Sequence, residues 1–207
     1  MKDVAALLLA AGQSRRMGAF KPLLPFGDRT VIERCVANLR AAGVGEIIVV
    51  LGHRADEVRA HLGDADVHFA LNADTDSEMG VSIARGIEQV EANARAVIIA
   101  LVDHPAVSSE AIASLIDEWK RGARLVQPEH GGRGGHPVLI DLAYRDELLH
   151  LDPRMGLRSF FDAHRNDVLR LPIDSPYVAR DMDTWEDYLA LHREVLGWAP
   201  PAKRSFS

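Results

Sequence analysis

The amino-acid sequence predicts an α/β fold, with a single three-layer α/β/α domain built on a mostly parallel sheet. Apolar runs typical of strands buried on both faces recur at residues 4–9, 46–51 and 96–102. Between them lie stretches in which apolar residues return at helical intervals, which is the order of β-α-β units. In open sheets of this kind, ligands bind beyond the carboxyl ends of the strands.

Local patterns predict each element in turn. After the first strand, Thr30 and Glu33 have the spacing of a capping box, and the helix that they begin is expected to end at Gly43. Further helices are predicted over residues 55–62, 79–91, 109–121 and 185–196, and further strands over 67–71, 124–128, 138–140 and 168–173. Residues 142–164 have a helical pattern with a break near Gly156, and a short strand is predicted before Asp181.

Bulk properties narrow the class of protein. The length of 207 residues suits one domain over residues 1–197, followed by a flexible tail over 198–207. A net charge of −6 argues against a surface that coats nucleic acid, so we expect a small-molecule substrate. Because no apolar run approaches the roughly 20 residues of a membrane span and no secretory pattern opens the chain, we expect a cytoplasmic location without a membrane partner. The single cysteine, Cys35, is expected to be a core residue.

The first strand leads directly into a small, basic, glycine-punctuated loop, residues 10–21. Residues 10–12 carry almost no side chain, so a ligand can approach the main chain closely, and Arg16 and Lys21 add positive charge. Such a loop can hold a polyphosphate through backbone N–H groups and cations. Its glycine spacing fits neither the Walker pattern nor the dinucleotide fingerprint. The spacing alone therefore leaves open an ordinary surface turn.

Aspartates at two places could hold a divalent cation. Asp103 ends the most apolar strand, and Mg²⁺ prefers one or two carboxylates together with substrate oxygens. Asp181 and Asp183 would point the same way in an extended chain, so a second acidic ligand is feasible. A turn cap at Asp103 and a helix N-cap formed by Thr184 with Asp187 are the structural alternatives.

The ends of several predicted strands should share one edge of the sheet. These are the loop at 10–21, residues 52–54, Asn72 and Asp103. Residues 72–86 also fit an ordinary helix N-terminus with favourable acidic residues. The most glycine-rich stretch, residues 131–138, would equally fit a flexible hairpin tip.

Residues 9–27, LAAGQSRRMGAFKPLLPFG, resemble the signature of the MobA-like nucleotidyltransferases. This group contains the molybdenum cofactor guanylyl- and cytidylyltransferases and, more distantly, the sugar-phosphate nucleotidyltransferases. Nine of thirteen positions match the pattern L-A-A/G-G-x-S-x-R-M-G-x-x-K, whereas Arg15 falls on a variable position. The resemblance implies a nucleotide-diphospho-sugar-transferase-like fold. It also implies nucleotide binding by Leu9, Ala10, Ala11, Gly12, Ser14, Arg16 and Lys21.

The resemblance extends from residue 5 to residue 188 and implies further roles. Asn72 and Ser82 match the segment that reads base and ribose, although Met79 precedes Gly80 in reverse of the usual order. Asp103 matches the metal-binding aspartate of a G/C-D-x-P element. An acidic residue before threonine in D-I-D-T-P-E-D helps to hold the metal, which favours Asp183 over Asp181.

The acceptor side is matched less completely. Arg133, Gly135 and His136 resemble an R-G-H-P element where the acceptor substrate enters, with one extra glycine inserted. Residues 151–158 partly match another acceptor segment of the family, L-x-G-D-x-G-x-R, in which Gly156 and Arg158 fit.

The resemblance therefore implies a Mg²⁺-dependent nucleotidyltransferase, in which an acceptor phosphate attacks the α-phosphorus of a nucleoside triphosphate and pyrophosphate leaves. Arg16, Lys21 and Asp103 would be catalytic, and Asp103 and Asp183 would hold the metal. The LLPFG and G-H-P elements favour transfer of CMP, to a phosphorylated acceptor such as molybdopterin. The alternatives are a sugar-phosphate nucleotidyltransferase, an inactive nucleotide-binding regulator, and a dinucleotide-dependent oxidoreductase, which would need the missing glycine fingerprint.

Overall fold

The computed structural model describes residues 3–63, 65–74, 77–152 and 154–200. The strands are β1 (Val4–Ala10), β2 (Pro25–Phe26), β3 (Arg29–Thr30), β4 (Glu46–Leu51), β5 (His68–Leu71), β6 (Ala96–Leu101), β7 (Leu125–His130), β8 (Arg133–Gly134), β9 (Val138–Asp141) and β10 (Val168–Pro172). The helices are α1 (Val31–Ala41), α2 (Ala55–Leu62), α3 (Met79–Gln89), α4 (Ser109–Lys120), α5 (Arg145–Leu149), α6 (Leu157–Ala163) and α7 (Trp185–Leu196). Short 3-10 helices span Lys21–Leu23, Leu142–Tyr144 and Pro176–Ala179.

The main sheet has the order β10-β7-β9-β6-β1-β4-β5, with the short β8 paired to β7. Strand β1 lies between β4 and β6 and is parallel to both, and β5 and β10 are parallel to their neighbours. Strand β9 runs antiparallel to both β6 and β7. The prediction of a mostly parallel sheet is confirmed.

Helices cover both faces of this sheet, as predicted. Alternate side chains of β1 point to opposite faces. Leu8 belongs to the core that includes residues of α1, α2, α4 and α7, whereas Leu7 belongs to the core that includes residues of α3, α5 and α6. Cys35 is buried in the first of these cores, where burial raises the pKa of its thiol. It is therefore an inert core residue, as the sequence indicated.

The predicted helix caps are present. Thr30 and Glu33 form a capping box at the start of α1, and Thr184 and Asp187 form one at the start of α7. Ser108 caps α4 by accepting a hydrogen bond from the backbone of Ala111. Each cap satisfies backbone N–H groups that would otherwise lack a partner at the helix start.

Three short features differ from the prediction. The segment before Asp181 is a 3-10 helix, Pro176–Ala179, and not a strand, because Pro176 at its first position has a backbone angle suited to a helix start and no N–H for a ladder. The glycine-rich stretch contributes β8 to the sheet, and β2 and β3 form a hairpin of their own. None of these pieces is long enough to show a hydrophobic period.

The predicted tail begins in an ordered position. The Trp198 carbonyl lies 2.8 Å from Nδ1 of the buried His192, and the two rings pack edge to face at 4.6 Å. Residues 201–207 of that tail lie outside the described residues. Within the described part of the chain, no helix combines the length and the apolar character that a bilayer crossing demands.

Candidate active site

A cleft of about 560 Å³ lies at the carboxyl edge of the sheet. It opens where β1, β5 and β6 end, which is where an open α/β sheet is expected to bind its ligand. Its lining includes most of the predicted site residues together with several that the sequence did not single out. They are Leu9, Ala11, Gly12, Gln13, Ser14, Arg15, Arg16, Lys21, Asn72, Asp74, Ser77, Glu78, Met79, Ser82, Leu101, Val102, Asp103 and Asp183.

The loop after β1 is held in a tight conformation by Ser14. This residue has a left-handed backbone (φ 53°), which is uncommon outside glycine. Its carbonyl accepts from the backbone of Met17 and Gly18, and its Oγ accepts from the backbone of Lys21 at 3.2 Å. Ser14 therefore fixes the backbone position of Lys21.

The first residues of this loop leave room for a ligand in different ways. A β-carbon added to Gly12 would meet nothing within 4 Å, so this part of the cleft is open. Ala10 is 2% exposed and packs in the core, so only its backbone can contribute to binding. Behind the loop, a β-carbon on Gly52 would lie 2.8 Å from the Ala11 carbonyl oxygen, so β4 can end this close only with glycine.

The side chains of the 52–54 segment do not reach the cleft. The Arg54 guanidinium stacks 4.7 Å from the Phe20 ring centroid and pairs with Glu57. Residues 52–54 follow β4 as predicted, and Gly52 lies against the Ala11 backbone, but none of the three lines the cleft.

Four charged side chains meet inside the cleft. Lys21 Nζ lies 3.5 Å from Asp103 Oδ2 and 3.2 Å from Asp183 Oδ1, and Arg16 Nη1 lies 2.8 Å from Asp183 Oδ2. The Lys21 side chain is 9% exposed and each aspartate is 23% exposed, whereas Arg16 is 77% exposed. The fold therefore brings the predicted group together across 162 residues of sequence.

The hairpin and the last helix explain how Lys21 and Asp183 come to face each other. Lys21 begins the short helix that leads into β2, and Asp183 directly precedes α7. The fully buried Tyr188 of α7 donates its hydroxyl hydrogen to the Pro25 carbonyl of β2 at 2.7 Å. This bond ties the two segments together next to the cleft.

The donor set fits a divalent cation. Asp103 Oδ1 is buried and has no hydrogen-bond partner within the described residues. A buried carboxylate oxygen left in this state is costly unless it meets a cation or a donor. With Asp183 opposite, two carboxylates are available, which is the number that Mg²⁺ commonly takes from protein when phosphates supply other ligands.

Asp181 and Asp183 differ in their relation to the cleft. Asp183 lines the cleft, whereas Asp181 is exposed and lies outside its lining. That the two side chains point the same way stays a prediction, and the fully buried Met182 between them fits the alternation of an extended chain.

Both ends of the Asn72 side-chain amide are hydrogen-bonded to protein atoms. It is 3% exposed, its Nδ2 lies 2.8 Å from Ser77 Oγ and 2.9 Å from Ser82 Oγ, and its Oδ1 accepts from the backbone of Asp74. Direct contact between this amide and a nucleotide remains a prediction. The observed bonds hold the edge of the cleft against the first turn of α3.

His136 lies close to Asp103 through its neighbour His104. The two imidazole rings are 5.8 Å apart, and His104 Nε2 is 3.8 Å from Asp103 Oδ1. Burial and the nearby His104 lower the pKa of His136 to about 4, so its ring is neutral near pH 7. Its Nδ1 is buried without a partner among the described residues, whereas Arg133 in β8 is exposed and outside the cleft lining.

Replacing Gly135 by alanine is expected to destabilise the fold. The added β-carbon would lie 2.0 Å from the Val178 carbonyl oxygen, a backbone atom that cannot move without shifting the segment that leads to Asp183. We expect a loss of roughly 1–3 kcal/mol, measured as a lower urea midpoint. Gly134→Ala is the matched control, because its contacts are the side chains of Arg170 and Gln127. Equal stability of the two variants would contradict this account.

A second acidic cluster lies at the opposite edge of the sheet. Glu46 and His68 begin β4 and β5, and their ligand atoms lie within 4.8 Å of each other and of a Glu91 oxygen. No local pattern in the sequence indicated this cluster, because its members come from three separate segments. It lies at the opposite edge from the loop at 10–21, because that loop follows the end of β1 and the cluster lies where the parallel strands β4 and β5 begin.

The chain combines an open, mostly parallel sheet with two cations on its first loop, one carboxylate after β6 and one carboxylate just before α7. The chain belongs to the MobA-like NTP transferase domain family, which matches residues 6–182. The resemblance noted in the sequence is thereby confirmed.

Relatives in this group carry different names. Nicotine blue oxidoreductase of Paenarthrobacter nicotinovorans is 31% identical over 150 residues, which are 69% of this chain and 72% of that protein. The bifunctional protein GlmU of Symbiobacterium thermophilum is 31% identical over 118 residues, which are 56% of this chain. The chain spans only 25% of that GlmU, so the matching part is one portion of a larger protein.

Solved structures share the fold over almost the whole chain. The homologue of Mycobacterium tuberculosis Rv0371c from Mycobacterium sp. strain JC1 has 31% identity and a TM-score of 0.83, with 95% of this chain and 98% of that one covered. The nucleotidyl transferase Mth528 of Methanothermobacter has 26% identity and a TM-score of 0.82, with coverage of 94% and 98%. Rv0371c in complex with manganese has 24% identity, a TM-score of 0.77 and coverage of 95% and 98%.

Proposed function

We propose that the chain transfers a nucleoside monophosphate, with CMP favoured, from a nucleoside triphosphate to a phosphorylated acceptor such as molybdopterin. The observation that carries this proposal is the meeting of Arg16 and Lys21 with Asp103 and Asp183 in the cleft at the carboxyl edge of the sheet. It supplies cations for phosphate oxygens and carboxylates for a metal within a few ångströms. Pyrophosphate is the second product.

The acceptor phosphate oxygen forms a bond to the α-phosphorus while the bond from that phosphorus to the bridging oxygen of pyrophosphate breaks. The bond electrons leave with pyrophosphate, so Arg16 and Lys21 offset charge that grows on the β- and γ-phosphates. Backbone N–H groups of residues 10–12 orient the triphosphate. No general base is needed, because a phosphate nucleophile is already ionised near neutral pH.

Asp103 and Asp183 would hold the divalent cation, with Mg²⁺ as the expected ion. When bound there, such an ion neutralises phosphate charge and orients the leaving group. The buried Oδ1 of Asp103 supports this role, and so does the manganese held by Rv0371c, a protein of the same fold.

We assign the acceptor to the side of Asp103 where His104 and His136 lie. The neutral His136 ring offers an unused nitrogen there, and Gly135 lets the backbone pass next to Val178. Arg133 is exposed on β8 and would reach an acceptor only at its outer end.

A panel of the four nucleoside triphosphates tests the proposal. With Mg²⁺ present, CTP is expected to raise the thermal midpoint most, since ligand at about 100 times its Kd stabilises the native state by about 2.7 kcal/mol. Pyrophosphate release should then depend on an added acceptor, molybdopterin or a sugar phosphate, and should stop when EDTA removes the metal. Nucleotide binding without pyrophosphate release from any acceptor would favour the inactive regulator instead.

An oxidoreductase is the second candidate, because one relative carries the name nicotine blue oxidoreductase. The glycine spacing of the first loop does not fit a dinucleotide fold, which favours the transferase. The two are separated by adding NADPH with a quinone-type dye. If the NADPH absorbance still falls when Asp103 is replaced by Asn, the oxidoreductase is favoured, since hydride transfer does not require a metal-binding aspartate.

A further inference from the structure

We propose that the Lys21 ammonium is a built-in counter-cation that competes with the divalent metal for Asp103 and Asp183, and that triphosphate binding removes it. Metal and nucleotide would then bind cooperatively, and free metal alone would bind weakly. The inference rests on the proposed function, because it assigns the acid pair to a metal. It goes further by giving Lys21 a second role, before any phosphate is bound.

The Lys21 ammonium occupies the space between the two carboxylates. Lys21 Nζ lies between one oxygen of Asp103 and one oxygen of Asp183, at 3.5 and 3.2 Å. A cation shared by both carboxylates would have to occupy the same space. Because the Lys21 side chain is only 9% exposed, solvent does little to screen this competition.

The charges of the four side chains that meet in the cleft cancel. Two carboxylates face two cations, since Arg16 also contacts Asp183. These four side chains together are therefore neutral, so they would offer no net negative charge to a divalent ion that entered beside Lys21. Removing the ammonium restores the negative charge that attracts the metal.

The side chain of Lys21 can leave while its backbone stays in place. Its backbone N–H is held by Ser14 Oγ, whereas its ammonium is held by contacts longer than the 2.7–2.9 Å typical of strong charge-assisted bonds. A lysine head on a flexible four-carbon stem adapts readily to a new partner. Phosphate oxygens in the adjoining cleft would provide that partner.

Arg16 provides a matched control because it contacts the same acid from outside. Its guanidinium lies 2.8 Å from Asp183 Oδ2, but its side chain is 77% exposed. Exposed pairs are weak because water and salt screen them. Neutralising Arg16 should therefore change metal affinity much less than neutralising Lys21.

The test measures Mn²⁺ binding without nucleotide, by the electron paramagnetic resonance signal of the free ion. Lys21→Met, which keeps length but loses charge, is expected to bind Mn²⁺ at least about fivefold more tightly than the wild type, in the range of ordinary coupling between sites. Arg16→Met should change the affinity by less than about twofold. Adding Asp103→Asn to Lys21→Met should abolish the gain. Adding Glu46→Gln to Lys21→Met should leave the tighter Mn²⁺ binding unchanged, which excludes the cluster at the opposite edge as the place where the additional Mn²⁺ binds.

Three results would each overturn the inference: unchanged Mn²⁺ affinity in Lys21→Met, an equal gain in Arg16→Met, or a gain that survives Asp103→Asn. Circular dichroism checks the fold, and Lys21→Gln replaces Lys21→Met if the latter does not fold. Metal affinity is measured without turnover, so the two hypotheses fail separately. If Lys21→Met binds Mn²⁺ more tightly but the wild type releases no pyrophosphate, only the proposed function is contradicted. If the wild type turns over but Lys21→Met binds Mn²⁺ no more tightly, only the competing role of Lys21 is contradicted.

Discussion

Asp103→Asn is expected to lower pyrophosphate release at saturating triphosphate and acceptor by at least about 100- to 1,000-fold, the scale seen when one preorganised charge-stabilising group is lost. Asparagine keeps the shape of the side chain but not its charge. The buried Oδ1 without a partner would become part of a neutral amide, and the pull on a divalent ion would fall accordingly.

The fold should survive this change, because Asp103 is 23% exposed and lies at a strand end. Thermal unfolding of both proteins checks this directly. Asp117→Asn is the matched control, since Asp117 pairs with Lys120 on the exposed face of α4, away from the cleft. Retention of more than about a tenth of the wild-type turnover in Asp103→Asn would remove this residue from the mechanism.

Asp183→Asn and Asp181→Asn are expected to differ strongly. Asp183 contacts both Lys21 and Arg16 within the cleft, and its loss should reduce turnover by about 100-fold or more. Asp181 is exposed and outside the cleft lining, so its loss should change turnover by less than about twofold.

The ratio of kcat/KM between these two variants is the measurement. They are close in sequence and chemically identical changes, so differences in expression or net charge cancel. Equal activity of the pair would mean that the acid before Thr184 has no part in catalysis. The capping box of Thr184 and Asp187 should remain in both, as thermal midpoints can verify.

The sequence predicted the parts of the fold that rest on long regular patterns. Strands β1 and β6 are apolar throughout, β4 is apolar after Glu46, and the capping boxes at Thr30 and Thr184 carry their own spacing signals. Asp103 could be placed near the first loop because parallel strands end at one edge. Lys21 and Asp183 could be paired only through the family resemblance, since 162 residues separate them.

The other features of the fold and of the site depend on contacts that no local sequence pattern encodes. Strands β2, β3 and β8 have two residues each, and a two-residue piece has no period to detect. The saturated amide of Asn72 reflects the positions of Ser77 and Ser82 after the chain has folded. The exposure of Asp181 likewise depends on a segment that joins no ladder.

The bond from Tyr188 to Pro25 gives the active site an order of assembly during synthesis. The loop at 10–21 and Asp103 leave the ribosome early, but Asp183 is the residue but one before α7. A nascent chain that has not yet docked this helix carries Arg16, Lys21 and Asp103 without Asp183 held opposite them. The group of four charged side chains is therefore complete only after α7 has docked on the β2–β3 hairpin.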